Sequence, residues 1–171
     1  HGVDKQFCVD KNAVRNPNQL LAVSDIYVQK NFKNLLLAMS ELIPNNPDIH
    51  LKIAGRPIDL EYVQELEAIV RDKKLQDHVT FLGGLDVDAL IILYQECGLF
   101  VFPSTVETFG NPLVEAMACG APIASSNAAA MPEVLGDAGL YFDPNKVDDI
   151  QKTISKLLMD QDLRHSIGQL A

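Results

Sequence analysis

The sequence has no excess of basic residues and no long apolar run. It carries 14 Lys and Arg against 23 Asp and Glu, a formal net charge of −9 over 171 residues. A nucleic-acid-binding face would be basic, so no nucleic acid is expected as a partner. No apolar run approaches the roughly 20 residues that cross a bilayer, so no spanning helix is expected. An acidic protein can still bind a small anion at a helix N-terminus.

Cysteine is scarce and does not follow a metal-binding pattern. Cys8, Cys97 and Cys119 show no CxxC spacing and have no His at zinc-finger distance. An odd number of cysteines, two in apolar surroundings, favours free thiols in a reducing compartment, so we expect a cytoplasmic location. GxGxxG, P-loop, HExxH and GxSxG motifs are also absent.

Short apolar runs alternate with helical patterns along the chain. The runs predict strands at 20–23, 49–54, 79–82, 99–102, 121–124 and 140–142, with amphipathic helices between them. Such alternation predicts βαβ units with a parallel sheet covered by helices on both faces. The expected fold class is therefore α/β, a Rossmann-like three-layer α/β/α domain with a mostly parallel sheet. Residues 1–18 are polar and turn-rich and are interpreted as a linker, and 19–171 as the domain.

The stretch from Glu107 to Gly120 follows the fourth predicted strand and carries two carboxylates eight positions apart, Glu107 and Glu115. Asn111 suits a helix N-cap, Pro112 the first helical position and Gly120 the position after the helix. This pattern places Glu115 in the first turn of a helix. A strand, a polar loop and a helix in this order form the usual ligand site of a parallel sheet.

Two interpretations of the carboxylates remain open from the residues alone. In the first, Glu115 only complements the positive helix end, worth about 0.3–1 kcal/mol, and Glu107 is solvated. In the second, backbone N–H groups at Gly110 and Asn111 hold an anionic group while the carboxylates accept hydrogen bonds from hydroxyls. A nucleotide sugar combines phosphates with hydroxyls and would satisfy both halves of that site.

This stretch resembles the group 1 family of retaining glycosyltransferases, which have the GT-B fold. Glu107 and Glu115 match the family's pair of Glu residues separated by seven positions, and the surrounding residues match almost position by position. Further similarity lies at 2–4, at Lys30 with Leu35 and Ala38, at 79–83, at 132–134 and at 136–140. The resemblance covers nearly the whole chain but only the C-terminal half of the family's enzyme. It implies an N-terminal acceptor-side domain that these residues do not include.

The resemblance also implies roles for single residues. Glu107 would contact the donor sugar near the reacting centre, and Lys30 would neutralise the departing diphosphate. Glu115 would accept hydrogen bonds from the ribose hydroxyls of a UDP-, GDP- or similar sugar. The resemblance implies that neither a metal nor a cofactor is required. The wider set of implied donor-binding residues is Phe109, Gly110, Asn111, Pro112, Leu113, Glu115, Gly83 and Arg56. The full-length protein would act in the cytoplasm, with peripheral association at the inner face of a membrane left open.

Two positions depart from the family pattern. Asp25 stands where the family usually has an Arg that acts on the same phosphates as Lys30, and Arg56 or Lys33 are candidates to compensate. Residues 127–130 replace a frequent Gly pair, which restricts close backbone approach to a ligand. Asp25 favours an alternative function, in which the chain is a non-catalytic nucleotide- or phosphate-binding module or a degenerate partner subunit.

Overall fold

The structure, a computed structural model, describes residues 4–170. Gly2 and Val3, which carry part of the family resemblance, lie outside the described residues. Within 4–170 the core of the fold is one six-stranded sheet. Its strands are β1 (Asn16–Val23), β2 (His50–Ala54), β3 (Val79–Gly83), β4 (Cys97–Phe102), β5 (Ile123–Ser126) and β6 (Leu140–Phe142).

The strands lie in the order β3-β2-β1-β4-β5-β6, and every neighbouring pair is parallel. The chain fills one half of the sheet from β1 to β3 and then crosses to the other side with β4. The direction of winding therefore reverses between β1 and β4. In open parallel sheets the loops that follow two such strands form a crevice in which ligands bind. The predicted α/β class and parallel sheet are confirmed.

Helices cover both faces of the sheet, giving three layers. The helices are α1 (Phe32–Leu42), α2 (Leu60–Asp72), α3 (Val87–Glu96), α4 (Asn111–Ala118), α5 (Met131–Leu135), α6 (Val147–Met159) and α7 (Gln161–Leu170). One apolar core joins the sheet to α1, α2, α6 and α7, and the other joins it to α3, α4 and α5. Successive residues of β1 enter opposite cores, Leu20 the first and Leu21 the second, because side chains alternate along a strand. No helix within 4–170 is long and apolar enough to span a bilayer.

The segment before the domain packs more closely than a linker would. Strand β1 begins at Asn16, so it includes the end of the predicted linker and starts before the predicted strand at 20–23. Phe7 is buried in the second core. The guanidinium of Arg15 donates a hydrogen bond of 2.6 Å to the carbonyl of Cys119. These contacts could not be predicted from the polar composition of the segment, because they are made with residues far away in the chain.

The beginning of α4 differs from the prediction. The N-cap is Gly110, in the left-handed region with φ 76°, and Asn111 is the first helical residue. Glycine allows this conformation at low cost, so the chain enters the helix one residue earlier than predicted. Glu115 consequently lies beyond the first turn, which holds no acidic residue, and complementing the helix dipole is not its role. Gly120, with φ 67°, follows the helix as predicted.

The free thiols predicted from the cysteine pattern are confirmed. Cys97 and Cys119 are buried and unpaired, and Cys8 is exposed. Burial raises the pKa of Cys97 to about 12 and that of Cys119 to about 11. Both buried thiols therefore stay protonated and unreactive at neutral pH.

Candidate functional site

Lys30 and Glu107 meet where the loops after β1 and β4 converge. Nζ of Lys30 lies 2.5 Å from Oε1 of Glu107, and both side chains are largely buried. The hydroxyl of Ser104 donates a second hydrogen bond, of 3.0 Å, to the same Glu107 oxygen. The two predicted catalytic residues, far apart in sequence, are thus brought together at the crevice. Ser104 is a third member of this cluster that sequence reasoning missed.

The loop that carries Lys30 is tied to its neighbours by Asn31. This residue adopts a left-handed conformation, with φ 56°, between a 3₁₀ turn that ends at Lys30 and the start of α1. Its buried amide nitrogen donates to the carbonyls of Pro103, at 3.1 Å, and Pro144, at 2.8 Å. Three loops are therefore joined through one side chain next to Lys30. An Asn directly before a helix was the available sequence signal, because Asn tolerates this conformation.

A further pair of hydrogen bonds holds the loop after β4 against the turn that contains Lys30. The backbone N–H of Thr105 donates to the carbonyl of Gln29 at 2.9 Å, and its hydroxyl donates to the same oxygen at 3.1 Å. The spacing between Lys30 and Glu107 is thus set by backbone and side-chain contacts together.

Glu115 on α4 is held by a core residue of α3. The hydroxyl of Tyr94 donates to Oε2 of Glu115 at 2.9 Å. Burial raises the pKa of Glu115, and the hydrogen bond from Tyr94 partly opposes that shift by stabilising the ionised form. Burial also raises the pKa of Tyr94 well above its usual value, so Tyr94 remains a donor.

A cleft of about 440 Å³ opens at this end of the sheet. The residues lining it include Asp25, Lys30, Arg56, Asn111, Pro112 and Glu115. It contains five of the residues predicted from sequence to be catalytic or donor-binding, among them both Lys30 and Glu115. The site is therefore a real concavity bounded by groups of both charges.

The other predicted donor-binding residues do not line this cleft. Leu113 is fully buried in the second core, so its side chain supports α4 from below. Gly110 is buried beside the ring of Phe102, and Phe109 is half-buried in the loop before α4. Gly83, with φ 70°, accepts a hydrogen bond from a neighbouring loop, and the adjacent residue 84 lines the cleft instead.

The two candidate substitutes for the missing Arg have different surroundings. Arg56 lines the cleft and forms an ion pair with Asp25, with Nη2 2.5 Å from Oδ2. Lys33 instead pairs with Glu65, Nζ to Oε1 2.6 Å, outside the cleft lining. Of the two candidates, Arg56 lines the cleft together with Lys30, and Lys33 does not. Within residues 4–170 no cluster of three His, Cys, Asp or Glu side chains is arranged to hold a metal.

Comparison with known proteins identifies the family of the chain. Residues 4–171 match the family model described as "Glycosyl transferases group 1". A curated relative, the serotype-specific mannosyltransferase WbdA of Escherichia coli, is 34% identical over 143 residues. The match covers 83% of this chain but 18% of that protein, so the chain spans a small part of its relative's length.

Solved structures share the fold over most of the chain. The C-terminal domain of LpcC, a group 1 family glycosyl transferase from Francisella tularensis, matches with a TM-score of 0.86 and 26% identity, covering 98% of this chain and 93% of that one. Alr3699/HepE of Anabaena, in complex with UDP and glucose, matches with a TM-score of 0.81 and 25% identity, covering 88% and 41%. The predicted resemblance is confirmed, and the chain belongs to the group 1 glycosyltransferase family.

Proposed function

We propose that this chain is the donor-binding half of a retaining glycosyltransferase, which transfers a sugar from a nucleoside-diphosphate sugar to a glycan, lipid or other acceptor. The observation that carries the proposal is the contact of Lys30 with Glu107 beside the cleft that Glu115 lines. It pairs a cation with a carboxylate at the carboxyl ends of β1 and β4. The mannosyltransferase name of WbdA and the UDP in the HepE structure support it.

In this proposal Lys30 neutralises the diphosphate as it leaves. Its ammonium has three N–H donors, of which Glu107 needs one. The others are available to phosphate oxygens, and a preorganised donor of this kind contributes on the order of 10²–10³ in rate. Glu107 lies next to that charge and would contact the donor sugar. Backbone groups of Phe109, Gly110 and Asn111 would approach the sugar or the diphosphate.

Glu115 would accept hydrogen bonds from the ribose hydroxyls. An ionised carboxylate offers about four acceptor sites, and Tyr94 occupies one of them. Glu115 lines the cleft, so the remaining sites would be available to a ligand there. Gly83, the last residue of β3, and its neighbour would let the backbone approach the nucleobase, and Pro112 would line the same side as Glu115.

The whole enzyme requires more than these residues. As the family resemblance implies, we propose that the acceptor binds to an N-terminal domain outside this chain. The chain spans 18% of WbdA and 47% of the Salmonella typhimurium mannosyltransferase RfbU. This chain alone is therefore expected to bind donor weakly and to transfer sugar poorly. For the full-length protein we propose action in the cytoplasm, with peripheral association at a membrane.

The test is a thermal-shift and calorimetric titration of this 171-residue chain with UDP, GDP, ADP and CMP and their common sugars. At least one is expected to raise Tm at millimolar concentration, because a ligand that binds only the folded state stabilises it. If none changes Tm or releases heat, the donor-binding proposal is wrong.

The alternative of a non-catalytic module was motivated by Asp25. An unpaired carboxylate there would repel a diphosphate, whereas the structure pairs it with Arg56. The hydrogen bonds from Arg56 hold the pKa of Asp25 below its usual value. This pairing favours the donor-binding proposal over that alternative, although position 25 itself carries no cation.

A further inference from the structure

The loops after β1 and β2 are locked together at the cleft. The N–H of Ser24 donates to Ala54 O, and the N–H of Ile26 donates to Arg56 O, each at 2.9 Å. Between these bonds Gly55 lies so close that a Cβ there would be 1.8 Å from Ser24 O. Only glycine fits at that position, and it lets the two loops approach until Asp25 and Arg56 meet.

The Asp25–Arg56 pair has a two-point geometry. Nε of Arg56 lies 3.2 Å from both carboxylate oxygens and Nη2 lies 2.5 Å from Oδ2. The backbone N–H of Arg56 donates to Oδ1 at 2.9 Å. Such a planar pair fixes the orientation of the guanidinium, which a single contact would not. Gly84 leaves room for the Arg56 stem, since a Cβ there would lie 2.8 Å from Cγ.

Most N–H donors of the Arg56 guanidinium do not bond to Asp25. A guanidinium has five N–H donors, and the contacts to Asp25 involve only Nε and Nη2. The Arg56 side chain is 68% exposed and that of Asp25 28%. An anion that enters the cleft therefore meets the cation before the carboxylate. Lys30 lines the same cleft.

We infer that Arg56 is a second cation for the diphosphate of the donor, and that Asp25 is the positioning residue that holds it beside Lys30. The inference rests on the proposed function and adds to it how the diphosphate is held. The second cation, Arg56, lies on the loop after β2, and Asp25, on the loop after β1, holds it in place. The competing explanation is that the pair only ties two loops together.

The test is calorimetric titration of this chain with UDP, GDP and the corresponding monophosphates. Arg56→Gln is expected to weaken diphosphate binding about tenfold, since it removes hydrogen bonds between charged groups, and to change monophosphate binding less. Lys33→Ala is the control, because it removes a cation outside the cleft lining and is expected to leave both affinities unchanged. Unfolding temperatures report whether each variant folds.

Asp25→Asn separates the two explanations by the sign of its effect. If Asp25 positions Arg56, the variant binds diphosphate several-fold more weakly; if Asp25 only repels phosphate or only ties loops, it binds more tightly or equally. In an Arg56→Gln background the same change is expected to tighten binding, because it then removes an unpaired carboxylate.

The outcomes distinguish the inference from the function on which it rests. Binding of neither UDP nor GDP by the unaltered chain would overturn both. Binding that Arg56→Gln leaves unchanged, or that Asp25→Asn leaves unchanged or tightens in the unaltered background, would overturn the inference and leave the donor-site proposal intact.

Discussion

The hydroxyl of Tyr94 donates a 2.9 Å hydrogen bond to Glu115, so a fully buried core side chain holds a carboxylate that lines the cleft. Tyr94 itself is held by an edge-to-face contact with Phe100 of β4, with ring centroids 5.4 Å apart. The orientation of Glu115 is therefore set by the packing of α3 and α4 on the sheet, before any ligand arrives.

Tyr94→Phe is expected to lower the free energy of unfolding by about 1 kcal/mol and to weaken nucleoside-diphosphate binding several-fold, because Glu115 loses its partner. Urea unfolding and calorimetry measure the two effects. Tyr62→Phe is the matched control, since the Tyr62 hydroxyl is a buried acceptor for the N–H of Lys33, away from the cleft lining. A loss of binding in both variants, or in neither, would contradict the positioning role.

Glu115→Gln is expected to raise Tm at pH 7 while weakening nucleoside-diphosphate binding. Burial raises the pKa of Glu115 above its usual value of 4.5, so the folded state binds this proton more tightly than the unfolded state. The stability of the unaltered chain then falls relative to the variant as pH rises from 4.5 through the raised pKa. Thermal unfolding of the variant and the unaltered chain between pH 4 and 8 checks the direction of this change. A Tm difference between the two proteins that is constant with pH would refute the prediction.

Lys30→Ala and Glu107→Gln are expected to reduce transfer by the full-length protein by roughly a hundredfold or more, as expected for groups at a charged transition state. Initial rates with saturating donor measure the effect. Lys33→Ala and Glu65→Gln are matched controls, because these residues form a similar Lys–Glu pair that is half-exposed on the surface. Unchanged transfer in the Lys30 and Glu107 variants would show that the catalytic assignment is wrong.

Asn31 directly follows Lys30 and is expected to contribute to the free energy of unfolding. Asn31→Gly removes two buried hydrogen bonds and is expected to cost about 1–3 kcal/mol. Asn31→Ala is expected to cost about 1 kcal/mol more, because alanine resists the left-handed conformation at φ 56°. Urea unfolding of both variants checks the order. Equal stability of the two would contradict the backbone argument.

Ala129, within the segment 127–130 that departs from the family pattern, adopts a left-handed conformation with φ 50°. Ala129→Gly is expected to raise the free energy of unfolding by roughly 0.5–1 kcal/mol by relieving this conformation. Ala130→Gly is the control, since Ala130 has φ −81° and glycine there is expected to destabilise. Stabilisation by both changes, or by neither, would exclude backbone strain as the cause.

Much of the fold could be predicted from local patterns. Apolar runs and helical spacing located the six strands, because burial on both faces of a parallel sheet leaves a signal within a few residues. The bounds were less accurate where a backbone conformation decided them, as at Gly110. Residue 16 was missed as the start of β1 because it is polar, and α7 was not delimited.

The candidate site was predicted in part. Glu107, Glu115 and Lys30 were named from a motif and a family resemblance, and the motif also named Leu113, whose side chain lies in the core. Tyr94, Ser104 and Asn31 had no motif to mark them. Their roles depend on hydrogen bonds to residues that are distant in sequence or lie in separate loops.

The sequence by itself determined the alternation of strands and helices, the family and the pair of carboxylates at Glu107 and Glu115, since each is encoded by residue type and short-range spacing. Only the tertiary structure decided that Lys30 meets Glu107 and that Asp25 pairs with Arg56. The physical reason is that strand order brings distant loops together and glycine at position 55 sets how closely they approach. In the sequence, Asp25 is a departure from the family pattern. In the structure, its carboxylate binds the guanidinium of Arg56 and holds it in place.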